Sequence, residues 1–519
     1  MPGLPAIFVP IANRNLPIPC GLATGLALAL GALGGCSSEQ DARAQAPATP
    51  VVEIVFDELP TATLMNAAGR GIDRRRFPGF AELAAHSTWY RNNTTVADFT
   101  GRALPAIETG IVPDYETLPI ADQQPNSIFT LLGGKYRFNV SEPVTRVCPP
   151  SLCKDAKGRA VDEQVGGRTA GEFAQALFEK PRPKLFARFL RLIRPGRSFN
   201  FIHFEVPHEP FHFLPDGRSY NHTPISDVGN YNAQKWAGGA GGSAATMQRH
   251  FIQTGYADTL IRRLIKRLKQ VGIWNQALVI VTADHGISFD PDNFRRLAFN
   301  GNFGGVANPP LFVKYPGQRE GEVSDARTRT VDIVPTTAAV LGIDLPYRTD
   351  GEPISEDGTQ DGSGTDLVTI SSGFDKDVFE PLEEVLSQRQ AVLRRQGRWL
   401  GTRTRLFELG PRPSLLGRRA PRASGGSARI DSRLDYGNVR IGGGRKVPAF
   451  VNGTVGGGRA GEVIAIGVNG RIVATCRAFR FDGRTRWGAV VPPSSLRPGS
   501  NDIGVYLARG SRLVVLGGG

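Results

Sequence analysis

The sequence predicts an α/β protein with a mostly parallel central sheet and helices on both faces, followed by a small C-terminal antiparallel β-sandwich. Three observations carry this expectation. Short β-branched runs at Val51–Phe56, Phe199–Glu205 and Ala277–Thr282 each end in polar residues. An amphipathic stretch separates the last two, and strand–helix–strand alternation is what a parallel sheet covered by helices requires. After Val447 the texture changes to closely spaced apolar strands, two of them joined by Asn469-Gly470.

In chain order, the first feature is the apolar run Leu22 to Leu33, which ends in Leu33-Gly34-Gly35-Cys36 and gives way to polar Ser37-Ser38-Glu39-Gln40. This reads as a signal peptide over residues 1–36, and small residues before a Cys resemble the bacterial lipobox, whose Cys becomes lipidated. An uncleaved single N-terminal helix and an ordinary secreted form are the alternatives. All three predict an exported protein, and the first two predict one anchored to the membrane on its extracytoplasmic side, in the first case as a bacterial lipoprotein. Residues 37–50 read as a tether.

A catalytic domain is expected over 51–357. Its first strand ends at Asp57-Glu58, the second leads into Pro207-His208, and the third into Asp284-His285-Gly286. Carboxyl ends of strands are where open α/β sheets place chemistry. The helix between the last two strands is predicted over Tyr256–Val271, with Leu260, Ile261, Leu264, Ile265 and Leu268 on one face. The Gly-rich stretch Glu352–Thr365 marks a break. Residues 358–444 read as a connecting region with a helix over Phe379–Arg395, and 445–519 as the accessory sandwich. There, Glu462–Val468 and Arg471–Ala478 flank Asn469-Gly470, a hairpin signal because both turn residues must take positive φ. Trp487–Val491 and Asn501–Leu507 supply further strands.

The chain of 519 residues carries 62 Lys and Arg against 48 Asp and Glu, a net charge of +14. Such a balance favours anionic surroundings such as lipid headgroups, wall polymers or charged esters. Ten Arg and one acid, Glu408, lie between Arg389 and Arg422, as a solvated linker face or a docking surface. No nucleic-acid partner is expected, since these residues are not interleaved with aromatics in a recognisable module. Cys148 and Cys153 bracket a loop that an oxidising compartment could close as a disulfide. Cys476 reads as a small buried residue.

Four features recur in order: a strand ending in an acid, a hydroxyl before Thr-Gly, a Pro-His-x-Pro segment and a strand ending in Asp-His-Gly. Carboxylates and imidazole converging from strand ends suit a divalent metal. Ala283-Asp284-His285-Gly286 resembles the metal signature of sulfatases and their alkaline phosphatase superfamily relatives. Gly304-Gly305-Val306 with Pro310 to Gly317, and Asp332-Ile333-Val334-Pro335-Thr336 with Asp350-Gly351, are similar to later segments of that family. The resemblance spans about residues 51–357 and implies an alkaline phosphatase-like fold. It also implies a metal-dependent hydrolase or transferase with one divalent ion (Mn, Mg, Ca or Zn) on Asp57, Asp284 and His285, with Glu58 as a less certain fourth ligand.

The nucleophile departs from the sulfatase pattern. A sulfatase Cys or Ser lies ten positions before the Gly of a Thr-Gly pair and becomes formylglycine; here Thr100 stands at that place, ahead of Thr109-Gly110. Thr cannot follow that route, but it can attack directly when a metal lowers its pKa. This resembles the branch containing nucleotide phosphodiesterases and lipoteichoic acid synthases, and implies a phosphodiester substrate. Sulfate ester hydrolysis is the alternative, and a degenerate cell-envelope protein that only binds anionic glycan is a third reading. Cys148-Pro149-Pro150-Ser151-Leu152 mimics a formylglycine motif but lacks its Arg. His208, in Pro207-His208-Glu209-Pro210, is expected to steady or protonate an ester oxygen, with Arg102 and Lys314 as candidates for anion binding. The structural alternatives are a helix cap for Asp57, a turn for Thr100 and a loop histidine for His208. His203 and His250 take the structural reading.

Overall fold

The computed structural model describes residues 48–153, 182–221, 229–230, 235–354 and 366–518, apart from 404, 424, 432, 441 and 443–445. The predicted signal peptide with Cys36, and all but the end of the tether, lie outside the described residues. Among the described residues no helix is long and apolar enough to cross a membrane.

Seven strands form the main sheet: β1 (Val51–Asp57), β2 (Thr88–Thr94), β3 (Arg137–Ser141), β4 (Ser198–Pro207), β5 (Leu278–Ala283), β6 (Leu311–Lys314) and β7 (Glu322–Arg329). Their order is β3-β4-β1-β5-β6-β2-β7. Strand β6 is antiparallel to both neighbours, and the other pairings are parallel. Burial on both faces explains why β1 and β5 read as nearly continuous apolar runs.

Alternation along β1 separates two cores. Val52, Ile54 and Phe56 join Met247, Phe251, Leu260 and Leu264 of helix α2 (Gly239–Gln270). Val51 and Val55 join Leu104 and Ile107 of helix α1 (Thr100–Thr109) and Ile333 of helix α3 (Ile333–Leu341). Glu53, between these two valines in sequence, is buried; burial pushes its carboxyl up to about 8, and its Oε1 has no hydrogen-bond partner. Glu108 of α1 is likewise raised, by burial and by the charges of Glu142 and Glu53.

Helix α2 runs for 32 residues, far longer than the stretch predicted from its apolar stripe. Its first half is buried on nearly all sides, so no stripe marks it: the run from Gly242 to Asp258 is enclosed. Helix α4 (Leu382–Leu400) begins later than predicted, because Lys376–Pro381 instead pairs as a strand with Leu367–Ser372.

Two antiparallel four-stranded sheets follow. One carries Phe450–Val455 and Arg484–Val490, the other Val463–Val468 and Ile503–Arg509. They share a core containing Ile464, Ile466, Trp487, Ala489 and Val505, which also takes in Ile252 of α2. Asn469 and Gly470 have φ of 51° and 79°, the hairpin geometry the dipeptide signals. Gln248 of α2 donates to the Leu409 carbonyl (2.7 Å) and accepts from the Val490 amide (3.1 Å).

The Arg-rich stretch is partly structural. Arg389 is buried and donates to the Arg91 carbonyl and Asn92 Oδ1, while Arg418 donates to the Ser511 carbonyl. Cys148 and Cys153 form a disulfide, and Cys476 is free and buried.

Candidate active site

Parallel pairing of β1 with β4 and β5 brings three strand ends together. Asp57 ends β1, His203 and the Pro207-His208 segment come from β4, and Asp284-His285 follows β5. One ligand atom each from Asp57, His203 and Asp284 lies within 4.8 Å of the others, and all three residues are buried. Asp57 Oδ1, Asp284 Oδ2 and His203 Nε2 have no hydrogen-bond partner. Buried carboxylates and imidazoles left unpaired are costly, and a divalent cation is the group that satisfies such a donor set. The residues therefore fit a metal ion.

His285 completes one side. Its Nδ1 lies 2.9 Å from the Gly286 carbonyl, an acceptor only, so the ring proton sits on Nδ1. The Nε2 lone pair is then left facing Asp284 Oδ2 at 3.5 Å and Thr100 Oγ1 at 3.5 Å. Gly286 permits this turn: a Cβ there would lie 2.0 Å from the Gly305 carbonyl oxygen. Thr100 opens α1, so the positive end of the helix dipole also lies at the hydroxyl.

Burial alone would raise the Asp57 carboxyl, but the charge of His208 and the His203 contact at 3.4 Å hold it well below the usual range. Burial and the Asp57 charge raise Asp284. Burial would lower His203, but Asp57 and Asp284 keep it raised.

Glu58 departs from expectation. It takes a left-handed φ of 57°, held by its amide on Asp284 Oδ1 (3.2 Å) and its carbonyl on His250 Nε2 (3.0 Å). Its carboxylate does not join the Asp57–His203–Asp284 group. It lies 3.6 Å from His208 Nε2, 3.8 Å from Arg295 and 3.5 Å from Arg296. Burial would raise Glu58, yet His208 and the two guanidinium groups lower it. Its carboxylate thus faces His208, Arg295 and Arg296. His208 Nδ1 donates to the Glu209 carbonyl, and Gln253 holds the His208 carbonyl at 2.8 Å.

Of the two candidates for anion binding, Lys314 lies away from the site and Arg102, close to it, is engaged by other partners. Lys314 pairs in register with Val279 at the start of β5, five residues before Asp284 and so about 16 Å away along the strand. Its ammonium donates to the carbonyls of Asn275 and Tyr315. Arg102 is spent on the Ser372 carbonyl (2.8 Å), Asp375 (2.6 Å) and the Tyr115 ring. Three residues were missed. His203 was read as structural, although it interrupts an apolar strand that leads to Pro207-His208. Arg295 and Arg296, shortly after Asp-His-Gly, gave no signal beyond adjacent charge. Arg296 spans the site, 3.5 Å from His208 Nε2 and 3.4 Å from His285 Nε2. His250 keeps its structural role; burial lowers it to about 4.

A family model described as Sulfatase matches residues 181–343. The human N-sulphoglucosamine sulphohydrolase is 24% identical over 302 residues, 52% of this chain and 57% of that protein. An ulvan-active sulfatase of Formosa agariphila is 24% identical over 153 residues, 29% of this chain and 30% of its own length. The chain thus spans less than two thirds of the length of these curated relatives. The crystal structure of a phosphonate monoester hydrolase of Agrobacterium radiobacter superposes with a TM-score of 0.45 at 16% identity, covering 62% of this chain and 80% of that one. The chain is thus similar to sulfatases over the segment that carries His203, His208, Asp284 and His285.

Proposed function

We propose that the protein is an extracytoplasmic, metal-dependent hydrolase or transferase that cleaves a phosphodiester-type ester through Thr100. The observation that carries this reading is Thr100 Oγ1, 3.5 Å from His285 Nε2 and beside the buried Asp57–His203–Asp284 group. Asp57, Asp284 and His285, with His203, would hold one divalent ion, and that ion would favour ionisation of the Thr100 hydroxyl and offset charge on the ester oxygens. Thr100 Oγ1, its proton released to solvent, bonds to phosphorus as the P–O bond to the leaving alkoxide breaks. Arg296 faces the oxygens that gain charge. His208, with a proton on Nε2 stabilised by Glu58, donates it to the departing alkoxide. Water or a second alcohol then takes the group from Thr100. An N-terminal lipid anchor or single helix would keep this site at the membrane surface.

Sulfate ester hydrolysis is the second reading, favoured by the sulfatase family match. Paired nitrophenyl esters, a phosphodiester, a phosphomonoester and a sulfate, with Mn, Mg, Ca or Zn, separate the two. Phosphodiester turnover that disappears in Thr100→Ala supports the first reading; sulfate turnover that survives the substitution rules it out.

A further inference from the structure

Three phenylalanine rings, those of Phe294, Phe299 and Phe374, pack together, and a fourth, Phe99, stands beside the Thr100 site. Phe99, Phe299 and Phe374 are 45%, 43% and 38% exposed. Phe294 lies between two of them, its ring 5.4 Å from Phe299 and 5.1 Å from Phe374, both edge-on. Phe99 directly precedes Thr100, and the Arg296 guanidinium, which reaches both His208 and His285, lies 5.9 Å over its ring. Phe99 therefore borders the Thr100 site, and the sequence-adjacent Asp98 ties it to the segments that carry the other rings.

One buried carboxylate fixes the segments that bear these rings. Asp98, adjacent to Phe99, is fully buried. Its Oδ2 accepts from the Ala298 amide (2.6 Å), next to Phe299, and from the Ser372 hydroxyl (2.9 Å). Its Oδ1 accepts from the Gly373 amide (2.8 Å), next to Phe374. Three separate stretches of chain thus present rings from a shared anchor. Exposed rings held in one patch at a cleft mark an interaction surface. Cations border them, with Lys235 5.4 Å over Phe294 and Lys376 5.9 Å over Phe374, which complements a substrate bearing an anionic ester beside an apolar face.

We propose that Phe99, Phe294, Phe299 and Phe374 form a substrate platform that takes the flat apolar face of the ester's organic group. The chemistry is a planar aromatic or C–H-lined ring, and it has two sources, an aryl group or a sugar. This inference rests on the ester-cleaving reading of the Thr100 site.

The test uses the full chain with Mn and three p-nitrophenyl phosphodiesters that share one leaving group but carry methyl, phenyl or glucosyl as the second group. Wild type is expected to favour phenyl or glucosyl over methyl by roughly tenfold in kcat/KM, as expected for stacking and burial of one ring. Whichever of the two is preferred identifies the source. In Phe299→Ser/Phe374→Ser the ratio falls to about one. A wild-type ratio near one, or the same ratio in the variant, overturns the proposal. Calorimetric titration of phenylphosphonate and methylphosphonate into both proteins gives a readout that needs no turnover. If no ester is cleaved but wild type alone prefers phenylphosphonate, the reaction fails and the platform stands. If both proteins bind the two phosphonates equally, the platform fails.

Discussion

Replacing Glu53 by Gln is expected to stabilise the protein, and by an amount that grows with pH. Glu53 sits inside the central strand, with burial pushing its carboxyl from 4.5 to about 8 and no partner on Oε1. The folded state therefore holds a proton that the unfolded state has released. For an acid whose folded pKa is raised, stability is complete below the unfolded value and is lost as pH rises toward the folded one. At ~1.4 kcal/mol per pH unit, the cost of Glu53 is about 1 kcal/mol at pH 5, about 3 at pH 7 and about 5 at pH 9. Gln keeps the shape of the neutral acid and cannot ionise. Urea midpoints for both proteins between pH 5 and 9, converted with a common m-value, give the difference directly. A difference that stays constant across this range, or one that favours Glu at pH 9, refutes the reasoning.

Other outcomes follow from the site. His203→Ala lowers metal affinity by roughly 10- to 100-fold, measured by calorimetry with Mn, if its imidazole is a ligand or directly supports one; unchanged affinity returns it to a packing role. Gly286→Ala drives a Cβ to 2.0 Å from the Gly305 carbonyl oxygen and costs at least about 2 kcal/mol in urea denaturation. Lys314→Met changes kcat/KM for the cleaved ester by less than about twofold, since its ammonium serves carbonyls remote from Thr100; a tenfold rise in KM would return it to substrate binding. Chelation by EDTA abolishes turnover and lowers the melting temperature, and added Mn restores both, because binding to the folded state alone stabilises it.

The sheet was legible because its central strands are apolar on both faces and end in acids, a pattern few other elements make. The same logic located Asp57, Asp284 and His285. It failed where local sequence says little about surroundings. The first half of α2 carries no stripe because it is enclosed all round. Glu58 looked like a ligand by adjacency to Asp57, but the turn into left-handed backbone sends its carboxylate toward Arg295 and Arg296 instead. Lys314 lay near a familiar segment, yet strand β6 runs opposite to its neighbours and carries it to the far end of the sheet. His203 was missed because a buried histidine in an apolar strand is ordinarily a packing residue, and only the neighbouring strand end gives it partners.

Within six residues of α2, Gln248 grips the C-terminal sheets, His250 holds the Glu58 carbonyl, Ile252 fills the sandwich core, and Gln253 holds the His208 carbonyl. The sandwich is thus the outer buttress of a beam whose inner face sets the backbone at Glu58 and His208. Cutting the chain before residue 445 would uncover an apolar seam on that beam and loosen His208 and Glu58 together. The accessory region could not then be exchanged between enzymes like a detachable binding module; it would have to be inherited with the helix it braces.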